Sequence, residues 1–186
     1  YTKPSLEIAE RLRRSGYDVR VAKDGKHYRI HGVADLFRDG VFLCGSNERF
    51  IPDEYKFNSV SVRRALFEGL CDTDGEVYSS CSIGYSTTSR RLAEDVVWLA
   101  RSLGCKAMVQ PKPKRGRYRG PDGVLIECRD CWRVTINASF NPFTHPQKRE
   151  RFKVSSARYR TRWIESIEPT RIVEGMCVRV AAADHL

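Results

Sequence analysis

At 186 residues, 41% hydrophobic and 30% charged, the chain can build one sizeable core and is too apolar for a disordered, solvating polymer. No apolar run approaches the roughly 20 residues of a membrane span, and the opening YTKPSLEI carries no leader pattern, so a membrane protein is not expected. Basic side chains outnumber acidic ones 33 to 23, and much of the excess gathers at 112–120 and 147–162. That clustering favours a polyanionic partner, with a generic basic surface as the alternative.

Seven cysteines, an odd number without regular spacing, fit a reducing cytoplasm better than secretion. The pair Cys128 and Cys131 forms a CxxC, but two further ligands at a suitable spacing are missing, and zinc is not expected.

Ser5 is placed to cap the first element. Leu6, Ala9 and Leu12 then recur at helical spacing up to Gly16, which suits a left-handed helix end. Val19 and Val21 alternate with charged residues and should face Tyr28 and Ile30 across an Asp24-Gly25 turn.

The stretch RRALFEGLCDTDGEV at 63–77 reads as a helix that runs into two aspartates and a glycine and then becomes a strand. A plain turn, half a calcium loop and a catalytic acid at a helix end all compete for Asp72-Thr73-Asp74-Gly75. Calcium is rejected, because an EF-hand loop needs alternate acids, a sixth-position glycine and a twelfth-position glutamate, whereas here glycine follows the second aspartate directly. Gly69 inside the helix costs roughly 1 kcal/mol against alanine, and close approach of a second helix would offset that. Thr73 lies four residues on and shares its face. Asp74 falls at the carbonyl end of the helix dipole, which disfavours an unpaired carboxylate and which a metal ion would compensate.

A strand pair is expected at 76–78 and 83–88. Ser89 then opens a second helix with Leu92, Val96, Leu99 and Leu103 on one stripe and Gly104 at its end. Ala107 and Val109 should face Trp132, Val134 and Ile136 across a long connection. The helix–strand–strand unit thus occurs twice, its second helix longer by about one turn. A complete unit would be αββαββ, which places the first copy of the opening helix and hairpin upstream of Tyr1.

With these residues in view, LFEGLCDTDG at 66–75 resembles the LAGLIDADG motif of homing endonucleases, which aligns without gaps on its last nine residues. Gly69, Leu70 and the DxDG ending match; Phe67, Glu68, Cys71 and Thr73 depart from the name-giving letters. RFIPDEYKFNS at 49–59 and IGYSTTSRRLAEDVVWLARSLG at 83–104 resemble the intein-embedded version of that family. The resemblance covers roughly residues 1–152. It implies an α+β fold with a pseudo-twofold repeat of αββαββ units and DNA-binding antiparallel sheets, the first copy incomplete. The implied division is 1–152 for the endonuclease, with halves at 1–60 and 61–152, and 153–186 for a short all-β splicing segment.

What the resemblance implies for chemistry is specific. Two such helices pack at the pseudo-twofold axis, through Gly69 and Thr73 on this one, and each delivers an acid to a scissile phosphate. Asp74 occupies the acid position and would hold Mg²⁺, which activates a water in an in-line displacement. Asp72 is expected to cap or hydrogen-bond locally, and the second acid belongs to the upstream copy. NPFTHPQKRERF at 141–152 resembles the family's third helix, with Lys148 as the basic residue near the phosphate.

Base edges would be read by Arg20, Lys26, His27 and Arg29 from the first sheet and by Arg133 and Thr135 from the second. Lys112, Lys114, Arg115, Arg117 and Arg119 would grip phosphates. In the tail, Ile164 and Ile167, then Val178 and Val180, suggest short strands. Cys177 stands where the inteins' penultimate block has an aspartate or cysteine, and His185 where a histidine often assists asparagine cyclisation, which implies self-splicing of the parent protein. The implied activity is Mg²⁺-dependent cutting of double-stranded DNA in an intein-less host gene, by a monomer with internal symmetry in a bacterial, archaeal or phage-infected cytoplasm. A catalytically decayed DNA-binding insertion and a splicing element whose nuclease part is incidental are the alternatives.

Overall fold

The computed structural model describes residues 6–23, 27–33, 44–78, 81–112, 117–154 and 164–176. The first unit is helix α1 (Leu6–Arg14) followed by strands β1 (Asp18–Val21) and β2 (Tyr28–His31). Ala9 and Val19 are its buried residues, and the register pairs Val19 with Ile30 and Val21 with Tyr28, as the alternation requires. The short helix α2 (Asp53–Lys56) precedes α3 (Val60–Asp74), which leads into β3 (Gly75–Tyr78) and β4 (Ser82–Thr87).

The second unit has the same helix–strand–strand order, with a hairpin inserted between its strands. Helix α4 (Arg90–Ser102) is followed by β5 (Lys106–Lys112), a small hairpin of β6 (Arg117–Arg119) and β7 (Leu125–Glu127), and β8 (Cys131–Asn137). Helix α5 (Pro146–Arg151) is the last helix among the described residues. Both α1 and α4 end in the same way. Gly16 (φ 89°) and Gly104 (φ 79°) adopt the left-handed conformation. Their amides bond Arg13 and Arg101 carbonyls, and the next amides, of Tyr17 and Cys105, reach back to Leu12 and Ala100.

Strands β3, β4, β8 and β5 form one antiparallel sheet in that order, so β8 is central and pairs on both edges. Ala107 sits opposite Ile136 and Val109 opposite Val134, as expected; the pairing of β8 with β4 was not anticipated. One face of this sheet carries Val77, Ile83, Tyr85, Ala107, Val134 and Ile136 and is buried under α4 and α3. From α4 come Leu92, Ala93, Val96, Leu99 and Ala100; from α3 come Phe67 and Cys71, with Phe143 and Phe152 completing the core. Ser89 caps α4 through its hydroxyl on the Leu92 amide (3.1 Å) and donates to the Arg49 carbonyl (2.5 Å). Buried Asp95 takes the Ile51 amide and the Lys56 ammonium, both at 2.8 Å, and latches the 51–56 stretch to α4.

The junction of α3 and β3 has no loop. Gly75 is already extended (φ −74°, ψ 141°), while its amide still bonds the Cys71 and Leu70 carbonyls. A Cβ there would stand 2.5 Å from the Cys71 oxygen and 2.8 Å from its Cα. Backbone, not a movable side chain, fills that space. Gly75→Ala is therefore expected to cost about 1–3 kcal/mol, read as a lowered urea midpoint at unchanged slope; an unchanged midpoint would show that the junction relaxes freely.

The tail corrects one expectation. Residues 164–176 carry no helix or strand, and Ile164, Ile167, Ile172 and Met176 are exposed. An apolar strand needs a neighbour to satisfy its ladder, and the described residues offer none there. Val178 and Val180 lie outside the described residues.

Candidate nuclease and nucleic-acid interface

The two aspartates of α3 part company because residues two apart on a helix point to nearly opposite sides. Asp72 is buried and Asp74 exposed. Asp72 was expected to cap or hydrogen-bond locally, but it ties together distant segments instead. One of its oxygens accepts the Thr144 amide (2.9 Å) and the His145 amide (3.1 Å). The other faces the Thr144 hydroxyl and the Arg11 guanidinium, the latter at 3.2 Å. His145 stands at the N-cap position of α5 without a side-chain cap, and its Nε2 meets Glu7 of α1 at 2.8 Å.

Helix α5 returns the tie. The Lys148 ammonium donates to carbonyls at the end of α3, those of Asp72 (2.6 Å), Cys71 (3.1 Å, which also takes the Gly75 amide) and Thr73 (3.5 Å). A cation there offsets the negative end of the helix dipole right beside Asp74. Partial burial pulls the Lys148 pKa down, and the nearby charges of Asp72, Asp74 and Glu76 oppose that shift. Lys148 and Asp74 are thus brought together, but the lysine's donors are directed at backbone carbonyls. Burial, with the Asp74 charge second, pushes the Tyr85 phenol up; burial likewise pushes the Cys71 thiol up, making it an inert core group.

Gly69 and Thr73 do not make the expected helix contact within the described residues. A Cβ on Gly69 would meet nothing within 4 Å, and the Thr73 hydroxyl bonds back to the Gly69 carbonyl at 3.0 Å. Gly69, Asp72 and Thr73 instead line a hollow whose other wall is Ile8, Arg11 and Leu12 of α1 and Ser15 just after it. No described neighbour requires glycine at 69.

The sheet face turned away from the core is polar. Arg133 lies between Ser86 and Gln110 in the cross-strand register, and Thr135 between Gly84 and Met108. Ser86, Met108 and Gln110 are exposed; Arg133 and Thr135 are half-buried. The Lys112 ammonium joins this face, donating to the Ser86 hydroxyl at 3.5 Å. On the hairpin, Arg117 meets Glu127 (3.4 Å) and Arg119 donates to the Gly123 carbonyl (3.2 Å).

In the first sheet Arg20 and Arg29 are opposite each other and exposed, with His27 exposed just before β2. Arg20 is engaged by Asp18, which it forks at 2.7 and 3.0 Å and whose pKa it lowers, so it is less available than the alternation implied. Lys26, Lys114, Arg115, Cys177 and His185 lie outside the described residues. The partners of Asp72 were missed because they are 61 to 73 residues away, and no local pattern marks them.

Among the described residues, no helix is long and apolar enough to cross a membrane. Residues 61–138 match the family described as a LAGLIDADG-like domain. The replicative DNA helicase DnaB of Mycobacterium intracellulare is 31% identical over 142 residues, covering 74% of this chain and 23% of that protein. The chain thus spans about a quarter of the curated relative it matches. The domain match supports the homing endonuclease family, whose members act on DNA.

Proposed function

With a LAGLIDADG-like domain at residues 61–138 as the premise, we propose that this chain is part of a site-specific double-strand DNA homing endonuclease carried in an intein. The observation that carries the proposal is the end of α3, where Asp74 is exposed at a helix terminus fixed by Asp72 and Lys148. A carboxylate held outward on a rigid mount suits a metal-dependent phosphodiester hydrolase better than a turn.

The donor set fits Mg²⁺ in part. Among the described residues no group of three or more His, Cys, Asp or Glu converges on one point. Mg²⁺ keeps several waters and takes substrate phosphate oxygens, so one or two carboxylates suffice, and Asp74 supplies one. Bound there, Mg²⁺ would activate a water and stabilise the leaving oxygen. The chain's own residues orient and neutralise: Asp74 presents its oxygens, Asp72 fixes the helix end, and Lys148 keeps positive charge beside the phosphate position. The second acid is assigned to an upstream copy of the motif, related to this one by the pseudo-twofold axis. Chelation should stop cutting of target DNA and added Mg²⁺ should restore it; cutting that persists in chelator would remove the metal from the account.

The outer face of the four-stranded sheet and the first hairpin form the DNA surface. Lys112 and Arg119 are assigned to phosphates. Lys112→Ala with Arg119→Ala is expected to flatten the plot of log affinity against log salt by about 0.9 per lost contact, equally for all sequences. An unchanged slope would place both side chains off the backbone.

A match confined to 23% of a helicase is what an insertion in a longer host would give, so the proposed target is a replicative helicase gene lacking the insertion. The exposed apolar side chains at 164–176 suit a segment completed by the rest of a splicing domain, in which His185 would assist asparagine cyclisation and Cys177 would hold the aspartate-or-cysteine position of the penultimate block. Incubating the full-length protein with that gene tests the nuclease reading. Sequence-specific binding without cutting would instead favour a decayed DNA-binding insertion.

A further inference from the structure

On the outer sheet face, one side chain is held differently from the rest. The Arg133 Nε is buried and has no hydrogen-bond partner among the described residues, although a guanidinium N–H is costly to leave unmatched. Its Cζ lies 5.8 Å from the centre of the Tyr78 ring, within cation–π range. That ring lies over Gly84, where any Cβ would run into its Cε2, Cζ and hydroxyl. The glycine leaves room for an aromatic ring over β4, and the ring forms one wall beside the arginine. Ser86 and Gln110 flank Arg133 directly across the strands.

We propose that Arg133 selects a guanine in the DNA target, and that Tyr78, seated on Gly84, is the positioning residue that aims it. The assignment rests on the DNA-binding reading above and names the base chemistry of one position within it. A ring beside the guanidinium restricts its plane, and a fork fixed in direction is what paired contacts to guanine O6 and N7 require. A phosphate contact has no need of such restraint, because any exposed cation satisfies it. Ser86 and Gln110 then face the neighbouring bases.

Binding-site selection from a randomised duplex library without divalent metal, using the full-length protein, tests this. Wild type and Tyr78→Phe should enrich guanine at one position. Arg133→Ala and Tyr78→Ala should each lose that preference by about ten-fold or more while keeping preferences elsewhere. Circular dichroism establishes that each variant is folded, and Tyr78→Phe retains the ring if Tyr78→Ala does not fold. Unchanged selectivity in Arg133→Ala, or a uniform loss of affinity with a shallower salt slope, would overturn the assignment while leaving DNA binding intact. Selectivity lost in Arg133→Ala but kept in Tyr78→Ala would overturn the role of Tyr78. Wild-type protein that selects no sequence would overturn the DNA-binding reading itself, and this assignment with it.

Discussion

Asp74→Asn is expected to lower cleavage of at least one strand by about 100-fold or more, while metal-independent affinity for the same duplex changes little. Loss of an outer-shell partner of a metal site already costs 10- to 100-fold, and Asp74 is assigned to the metal directly. The substitution keeps size and hydrogen bonding, and Asp74 is exposed at the last position of α3, so folding should tolerate it. Gel shifts in chelator paired with strand-resolved cleavage in Mg²⁺ separate the two effects. Unchanged cleavage would sink the assignment of Asp74; loss of binding along with cleavage would place it in recognition instead.

Asp72→Ala should be the most destabilising single change at this end of the molecule, by about 3 kcal/mol. It strands the half-buried amides of Thr144 and His145 and leaves Arg11 without its carboxylate. Asp72→Asn is the informative comparison. Both amides converge on one oxygen, which an asparagine carbonyl can supply, and its amino group can still meet the Thr144 hydroxyl. The expected cost is nearer 1 kcal/mol. Equal urea midpoints for the two variants would show that the charge on Arg11, rather than the amide anchoring, carries the interaction.

Much of the fold was legible because its signals are local. Val19 facing Ile30, and Ala107 facing Ile136, follow from a period of two, and Gly16 and Gly104 end their helices for want of a Cβ. The helix running into Asp74 and turning to strand at Gly75 was likewise readable from one short stretch. Tertiary pairings were not. Nothing in the alternation of β8 says that β4 binds its other edge, and that placement creates the row Ser86, Arg133, Gln110. Lys148 was expected as the basic residue near the scissile phosphate; in the fold its donors grip the α3 carbonyls, a geometry that depends on how α5 folds back 74 residues after Asp74. Gly69 shows the opposite case. Its sequence context called for a packed helix, yet a Cβ there would meet nothing within 4 Å. Tyr78 beside Arg133 had no sequence signal beyond a glycine two residues into β4.

The central claim is that the outward carboxylate at the end of α3 belongs to a sequence-specific, metal-dependent DNA nuclease. The direct measurement is to incubate the full-length protein and Mg²⁺ with a replicative helicase gene lacking the insertion, then sequence every new end on both strands. A single position at which both strands are broken, absent in Asp74→Asn, is the predicted result. No metal-dependent ends, or ends scattered without regard to sequence, would contradict it.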